Sequence, residues 1–92
     1  DNTLTETGGR HLSVALDQLP NLRVINLNDC LLRNEGADLI AQALARGHEV
    51  LEELSLAGNE MEAHVALHVL NAVAAKPRLT RIDLGDNEIE DE

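Results

Sequence analysis

Leu22-x-x-Ile25-x-Leu27-x-x-Cys30-x-Leu32 returns as Leu51-x-x-Leu54-x-Leu56-x-x-Asn59-x-Met61, and again as Leu79-x-x-Ile82-x-Leu84-x-x-Asn87-x-Ile89. The starts lie 29 and then 28 residues apart. Self-similarity at such a period marks a solenoid, in which each unit buries its apolar face against its neighbours rather than around one central core. Within each unit the first stretch alternates apolar and polar residues, as a short strand does. The stretch after it changes to helical spacing. Ala37, Ile40, Ala43 and Leu44 share one helical face. So do Leu12, Ala15, Leu16 and Leu19, and likewise Val65, Ala66, Val69, Ala72 and Val73. Stops follow at Pro20, at Gly47 after Arg46 and at Pro77 after Lys76.

The period falls within the 20–29-residue range of leucine-rich repeats. The expected fold is therefore an α/β leucine-rich-repeat solenoid, a horseshoe segment of about three repeats. Its strands run parallel because each returns through a helical crossover, with strands concave and helices convex. The pattern divides the chain into a repeat tail and helix over 1–21, repeats over 22–50 and 51–78, and the strand of a last repeat over 79–92. Asn2-x-Leu4 sits 28 residues before Cys30-x-Leu32, and Gly8 corresponds to Gly36. Both ends thus cut through repeat units, which reads as a piece of a longer protein.

Asn2, Cys30, Asn59 and Asn87 fall where the chain turns away from each strand. An amide there can satisfy backbone groups left unpaired, each of which costs roughly 1–3 kcal/mol when buried. A thiol fits the same slot as a weaker partner, so Cys30 is expected to be structural. Seventeen acidic against seven basic residues give a net charge of −10, the wrong sign for a phosphate backbone, and argue for a protein partner. The absence of Phe, Tyr and Trp removes the usual stacking platforms for nucleic acid. One cysteine forms no intramolecular disulfide, and no apolar run approaches the ~20 residues that would insert into a membrane.

His64 and His68, four apart beside Glu60 and Glu62, have a spacing that can hold zinc. The apolar face assigned to that helix leaves both histidines on the solvent side, so no metal site is expected. Gly8-Gly9 and Gly36 lack a following lysine and are expected in tight repeat turns rather than around a phosphate. The concave face gathers the candidate contacts: Arg23, Asn26 and Asp29 from the first strand, Glu52, Glu53 and Ser55 from the second, Arg81 and Asp83 from the third. In register, Arg23 neighbours Glu52 and Glu53 neighbours Arg81. No catalytic constellation stands out, no cofactor is implied, and the chain is not expected to be an enzyme. The strand edge near Ile82 and a first helix unshielded around Leu12 and Leu16 are expected to promote self-association.

The period, with Gly36-Ala37 opening a helix, resembles the ribonuclease-inhibitor type of leucine-rich repeat. Within that type, Leu19-Pro-Asn-Leu-Arg-Val-Ile-Asn-Leu-Asn-Asp-Cys-Leu-Leu32 resembles the Ran GTPase-activating protein family. So do Glu60-Met-Glu-Ala-His-Val-Ala-Leu67 and Ala75-Lys-Pro-Arg-Leu-Thr-Arg-Ile-Asp-Leu-Gly-Asp-Asn87. The resemblance implies the C-terminal part of that family's repeat domain, with Glu88-Ile-Glu-Asp-Glu92 approaching an acidic tail. It further implies GTPase activation on Ran, a role in nucleocytoplasmic transport and a cytoplasmic location that includes the cytoplasmic face of the nuclear envelope. No activating residue carries over to a position here. The competing reading is a generic interaction scaffold or sensor segment of the same repeat type.

Overall fold

The computed structural model describes residues 6–88. Asn2, Leu4, Ile89 and the acidic stretch 90–92 lie outside the described residues. The elements alternate: α1 (Glu6–Asp17), β1 (Val24–Asn26), α2 (Arg33–Ala45), β2 (Glu53–Ser55), α3 (Ala63–Val73) and β3 (Arg81–Asp83). The strands form one parallel sheet in the order β1-β2-β3, with Val24, Glu53 and Arg81 in one row. Ile25, Leu54 and Ile82 form the next row and Asn26, Ser55 and Asp83 the third. Helices pack α1 on α2 and α2 on α3, so every tertiary interface joins sequence neighbours. This is the α/β solenoid segment that the period requires.

The core runs as a band between sheet and helices. Leu51, Leu54, Leu56 and Met61 are fully buried against Ile40 and Leu44 of α2 and Val69 and Val73 of α3. Pairing outlasts the three-residue strands. Leu27 and Asp29 donate to the carbonyls of Ser55 and Ala57, and Leu56 and Gly58 to those of Asp83 and Gly85. Asp29, Gly58 and Asp86 then occupy the same left-handed position, with φ of 55°, 70° and 54°. Aspartate tolerates that region better than most residues. At Gly58 a Cβ would lie 2.0 Å from Asp29 Oδ1, so a larger residue there would have to push the Asp29 side chain aside.

Asparagines stitch the turns together. The fully buried Asn59 accepts from the Cys30 and Leu32 N–H groups at 3.0 and 3.2 Å. Its Nδ2 donates to the carbonyls of Leu27, Leu56 and Ala57. Asn87 repeats the pattern one unit on, accepting from Asn59 and Met61 and donating to Leu56, Leu84 and Gly85. Each amide therefore serves its own turn and the one before it. Cys30 has no such reach: its thiol donates at 3.4 Å to the Asn28 carbonyl.

Four expectations need correction. Leu19 is exposed rather than on the buried face, because α1 ends at Asp17 and the residue before Pro20 is pushed out of helical conformation. Leu12 is half-buried and Leu16 fully buried, since α2 shields the face of α1 that carries them. Gly8-Gly9 and Gly36 lie inside α1 and α2, not in turns. A Cβ on Gly9 would come within 3.0 Å of the Gly36 Cα, so these glycines let two helices approach closely. Finally, α2 opens at Arg33, three residues ahead of Gly36.

Candidate functional site: the concave sheet face

Successive strand residues point to opposite faces, so burying Ile25 and Leu54 turns Val24, Asn26, Glu53 and Ser55 outward. The parallel register brings the predicted contact residues into rows: Val24–Glu53–Arg81, and Asn26–Ser55–Asp83. Between them lies a shallow depression of about 150 Å³, also lined by Asn28. Small-molecule pockets run to roughly 300–1,000 Å³. This hollow is smaller than that, closer to the volume of one side chain than to that of a metabolite.

The face is held in shape by its own polar groups. Arg23 Nε donates to Glu52 Oε2 at 2.9 Å, the pairing that the register predicts. The Glu52 carbonyl receives the Thr80 and Arg81 N–H groups and the Thr80 hydroxyl. Asn28 Oδ1 accepts from the Ser55 hydroxyl at 2.6 Å and from the Ala57 N–H at 2.8 Å. Asn26 Oδ1 accepts from the Asn28 N–H, and Asp83 Oδ1 from the Gly85 N–H. Glu53 and Arg81 are Cα partners, yet among the described residues their side chains form no ion pair within 4.0 Å. Asp29 is exposed at its turn, beyond the rows.

Away from this face, the described side chains favour structure over chemistry. Burial first, and then the Asp29 carboxylate, push the Cys30 thiol above its ordinary pKa, away from the thiolate that reactivity needs. His64 and His68 both face solvent but part ways. His68 Nδ1 lies 2.6 Å from Asp38 Oδ1 on α2, while His64 lies 3.9 Å from Glu62. Among the described residues no three potential ligands converge.

Two features escaped the sequence pattern. Asn34 Oδ1 accepts the Glu62 N–H at the start of α3, a cap supplied by the preceding repeat. Neither position stands out by spacing. His48 follows α2 with φ 64°, is 3% exposed, and its Nδ1 has no hydrogen-bond partner. Burial, and secondly the nearby Lys76, lower its pKa; Asp17 and the Leu16 backbone oppose them. Lys76 is itself lowered, chiefly by burial, and donates to the Gly47 carbonyl. Beside it Arg46 binds Asp17 through two nitrogens at 3.2 and 2.7 Å, across one repeat interval.

The leucine-rich-repeat family profile matches residues 18–41 and 76–92. Among curated proteins, the chain is 32% identical over 83 residues to NACHT, LRR and PYD domains-containing protein 13 of Homo sapiens. That match covers 90% of this chain and 8% of that protein. It is 38% identical over 61 residues to RAN GTPase-activating protein 2 of Arabidopsis thaliana, covering 66% of this chain and 11% of that one. The chain thus spans about a tenth of the length of these relatives or less.

Proposed function

We propose that this chain, a leucine-rich-repeat solenoid segment, is the protein-binding part of a GTPase activator that acts on Ran in nucleocytoplasmic transport. The observation that carries this reading is the 38% identity to RAN GTPase-activating protein 2, sustained over two thirds of the chain. The concave face suits the role. It is rigidly braced and polar, its hollow is smaller than a metabolite pocket, and it lies in a chain of net charge −10 that steers basic surfaces towards it. In this reading the chain performs no covalent chemistry and works in the cytoplasm, including the cytoplasmic face of the nuclear envelope.

A second reading has its own support. The match to the NACHT, LRR and PYD domains-containing protein covers more of the chain, which fits a scaffold or sensor segment equally built for protein contact. Pull-down of GTP-loaded Ran by the chain separates the two. Retention that falls with added salt and with Glu53→Lys supports the Ran reading, and no retention at low salt refutes it. Single-turnover GTP hydrolysis in excess chain is expected to stay at the intrinsic rate. No activating group carries over to these residues, and such positioning supplies several kcal/mol of barrier lowering.

A further inference from the structure

His48 carries three costs at once. Its φ is 64°, its side chain is buried at 3% exposure, and its Nδ1 has no hydrogen-bond partner. A buried polar group left unpaired calls for a physical reason. The residue follows α2, which packs against α1 on one side and α3 on the other, and its polar neighbours come from both. The ring hydrogen-bonds to the Leu16 backbone at the end of α1. A carbonyl accepts only from an N–H, so the neutral ring keeps its proton on Nε2 and holds a bare lone pair at Nδ1.

The charged neighbours decide what a second proton would meet. From α1 comes Asp17, but Arg46 at the end of α2 already engages both of its oxygens. From the segment after α3 comes Lys76, which donates to the Gly47 carbonyl and, among the described residues, forms no ion pair within 4.0 Å. Glu49, next in the chain, is exposed and acts on Lys76 through space. A proton on Nδ1 therefore creates a cation in a desolvated place, near a second cation tied to the residue just before it. That tie joins the ends of two successive helices. A Cβ on Gly47 would meet nothing within 4 Å, so open space adjoins the bond and the ammonium has room to withdraw. The sheet side is held by groups that do not titrate: strand pairing and the Asn59 and Asn87 amides.

We propose that His48 is an acid-operated release for the joint between the ends of α2 and α3. A proton taken up at Nδ1 expels Lys76 from the Gly47 carbonyl, and the helix ends part while the strands and asparagine turns stay joined. The coupling is reciprocal: the repulsion that drives the ammonium off a charged ring also keeps the ring neutral while the ammonium is in place. Loosening confined to the helical layer lets the unit 51–78 tilt against the unit 22–50 about the sheet. The device is thus a local opening, set apart from global unfolding.

Amide hydrogen exchange of the 92-residue chain, read by NMR and corrected for the intrinsic effect of pH, tests this. The reporters are the Arg46 and Lys76 N–H groups, bonded to the Ala43 and Val73 carbonyls. The controls are the Leu27 and Leu56 N–H groups of the sheet ladder and the Leu32 N–H on Asn59. Between about pH 7.5 and 5 the reporters should lose protection about tenfold or more while the controls hold theirs. In His48→Asn, which tolerates left-handed backbone and stays uncharged, reporter protection should not change with pH. Lys76→Met gives a second reading that leaves the histidine in place: the His48 ring, followed by its proton shifts, should titrate at higher pH than in the parent. Reporters indifferent to pH in the parent overturn the proposal. So do controls that lose protection in step with the reporters, a folded His48→Asn chain that still opens with acid, or a ring titration that Lys76→Met fails to raise.

Discussion

Replacing Asn59 with alanine probes the turn stitching at its most buried point. The substitution strands the Cys30 and Leu32 N–H groups together and removes the donor shared by the Leu27, Leu56 and Ala57 carbonyls. A buried unsatisfied group costs roughly 1–3 kcal/mol, so the two N–H groups alone amount to ~2–6 kcal/mol. Water entering the vacated space offsets part of this, and a loss of about 3 kcal/mol is the working expectation. Whole domains have only ~5–15 kcal/mol to lose. The measurement is urea unfolding followed by far-UV circular dichroism, since the chain has no tryptophan or tyrosine to report by fluorescence. Asn59→Cys, which copies the residue at Cys30, should fall between alanine and the parent. Asn87→Ala should cost less than Asn59→Ala because Asn87 is half-buried and water reaches it. A loss below about 1 kcal/mol for Asn59→Ala would show that solvent replaces the amide freely, and that the stitching is not structural.

Leu54→Asp should abolish the cooperative thermal transition, because Leu54 is 1% exposed and the substitution places a charge in the apolar band between sheet and helices. Leu27→Asp should be milder, since Leu27 is half-buried; calorimetry of both distinguishes them. The lowered pKa of His48 means that the folded state resists protonation. Its contribution is present above the ordinary histidine value of about 6.5 and is lost as pH falls towards the lowered folded value. The melting temperature should therefore drop as pH falls below about 6.5, and His48→Leu should flatten that drop in parallel scans. The Cys30 thiol should react with iodoacetamide more slowly at pH 7.5 than a free cysteine does, because burial raises its pKa; mass spectrometry reads the rate.

The strands and their register were legible because the alternation around Ile25, Leu54 and Ile82 repeats at nearly fixed spacing, and a two-residue period leaves no freedom over which face is buried. The asparagine positions were legible for the same reason. Leu19 was misread because it continues a helical spacing that Pro20 has already ended. The start of α2 was missed because no capping side chain marks it: Leu32 makes no side-chain cap bond. Gly9 and Gly36 look like turn residues in sequence, and only the crossing of α1 and α2 shows what they are for. On the candidate face, Arg23 with Glu52 followed from register. The clamp from Asn28 to Ser55 and Ala57 did not, because nothing in the spacing separates an asparagine that braces the sheet from one that awaits a partner.

Interfaces confined to adjoining units have a kinetic consequence. The hydrogen bonds that join one repeat to the next link residues 26 to 32 positions apart. The entropy of closing such a loop grows only as the logarithm of its length, so each docking event faces nearly the same search however long the array becomes. Among the described residues the units 22–50 and 51–78 each adjoin others on both sides, through the packing of α1 on α2 and α2 on α3 and through the strand order β1-β2-β3. An ordered pair formed there can grow in either direction, and hydrogen exchange should find its amides the slowest to open.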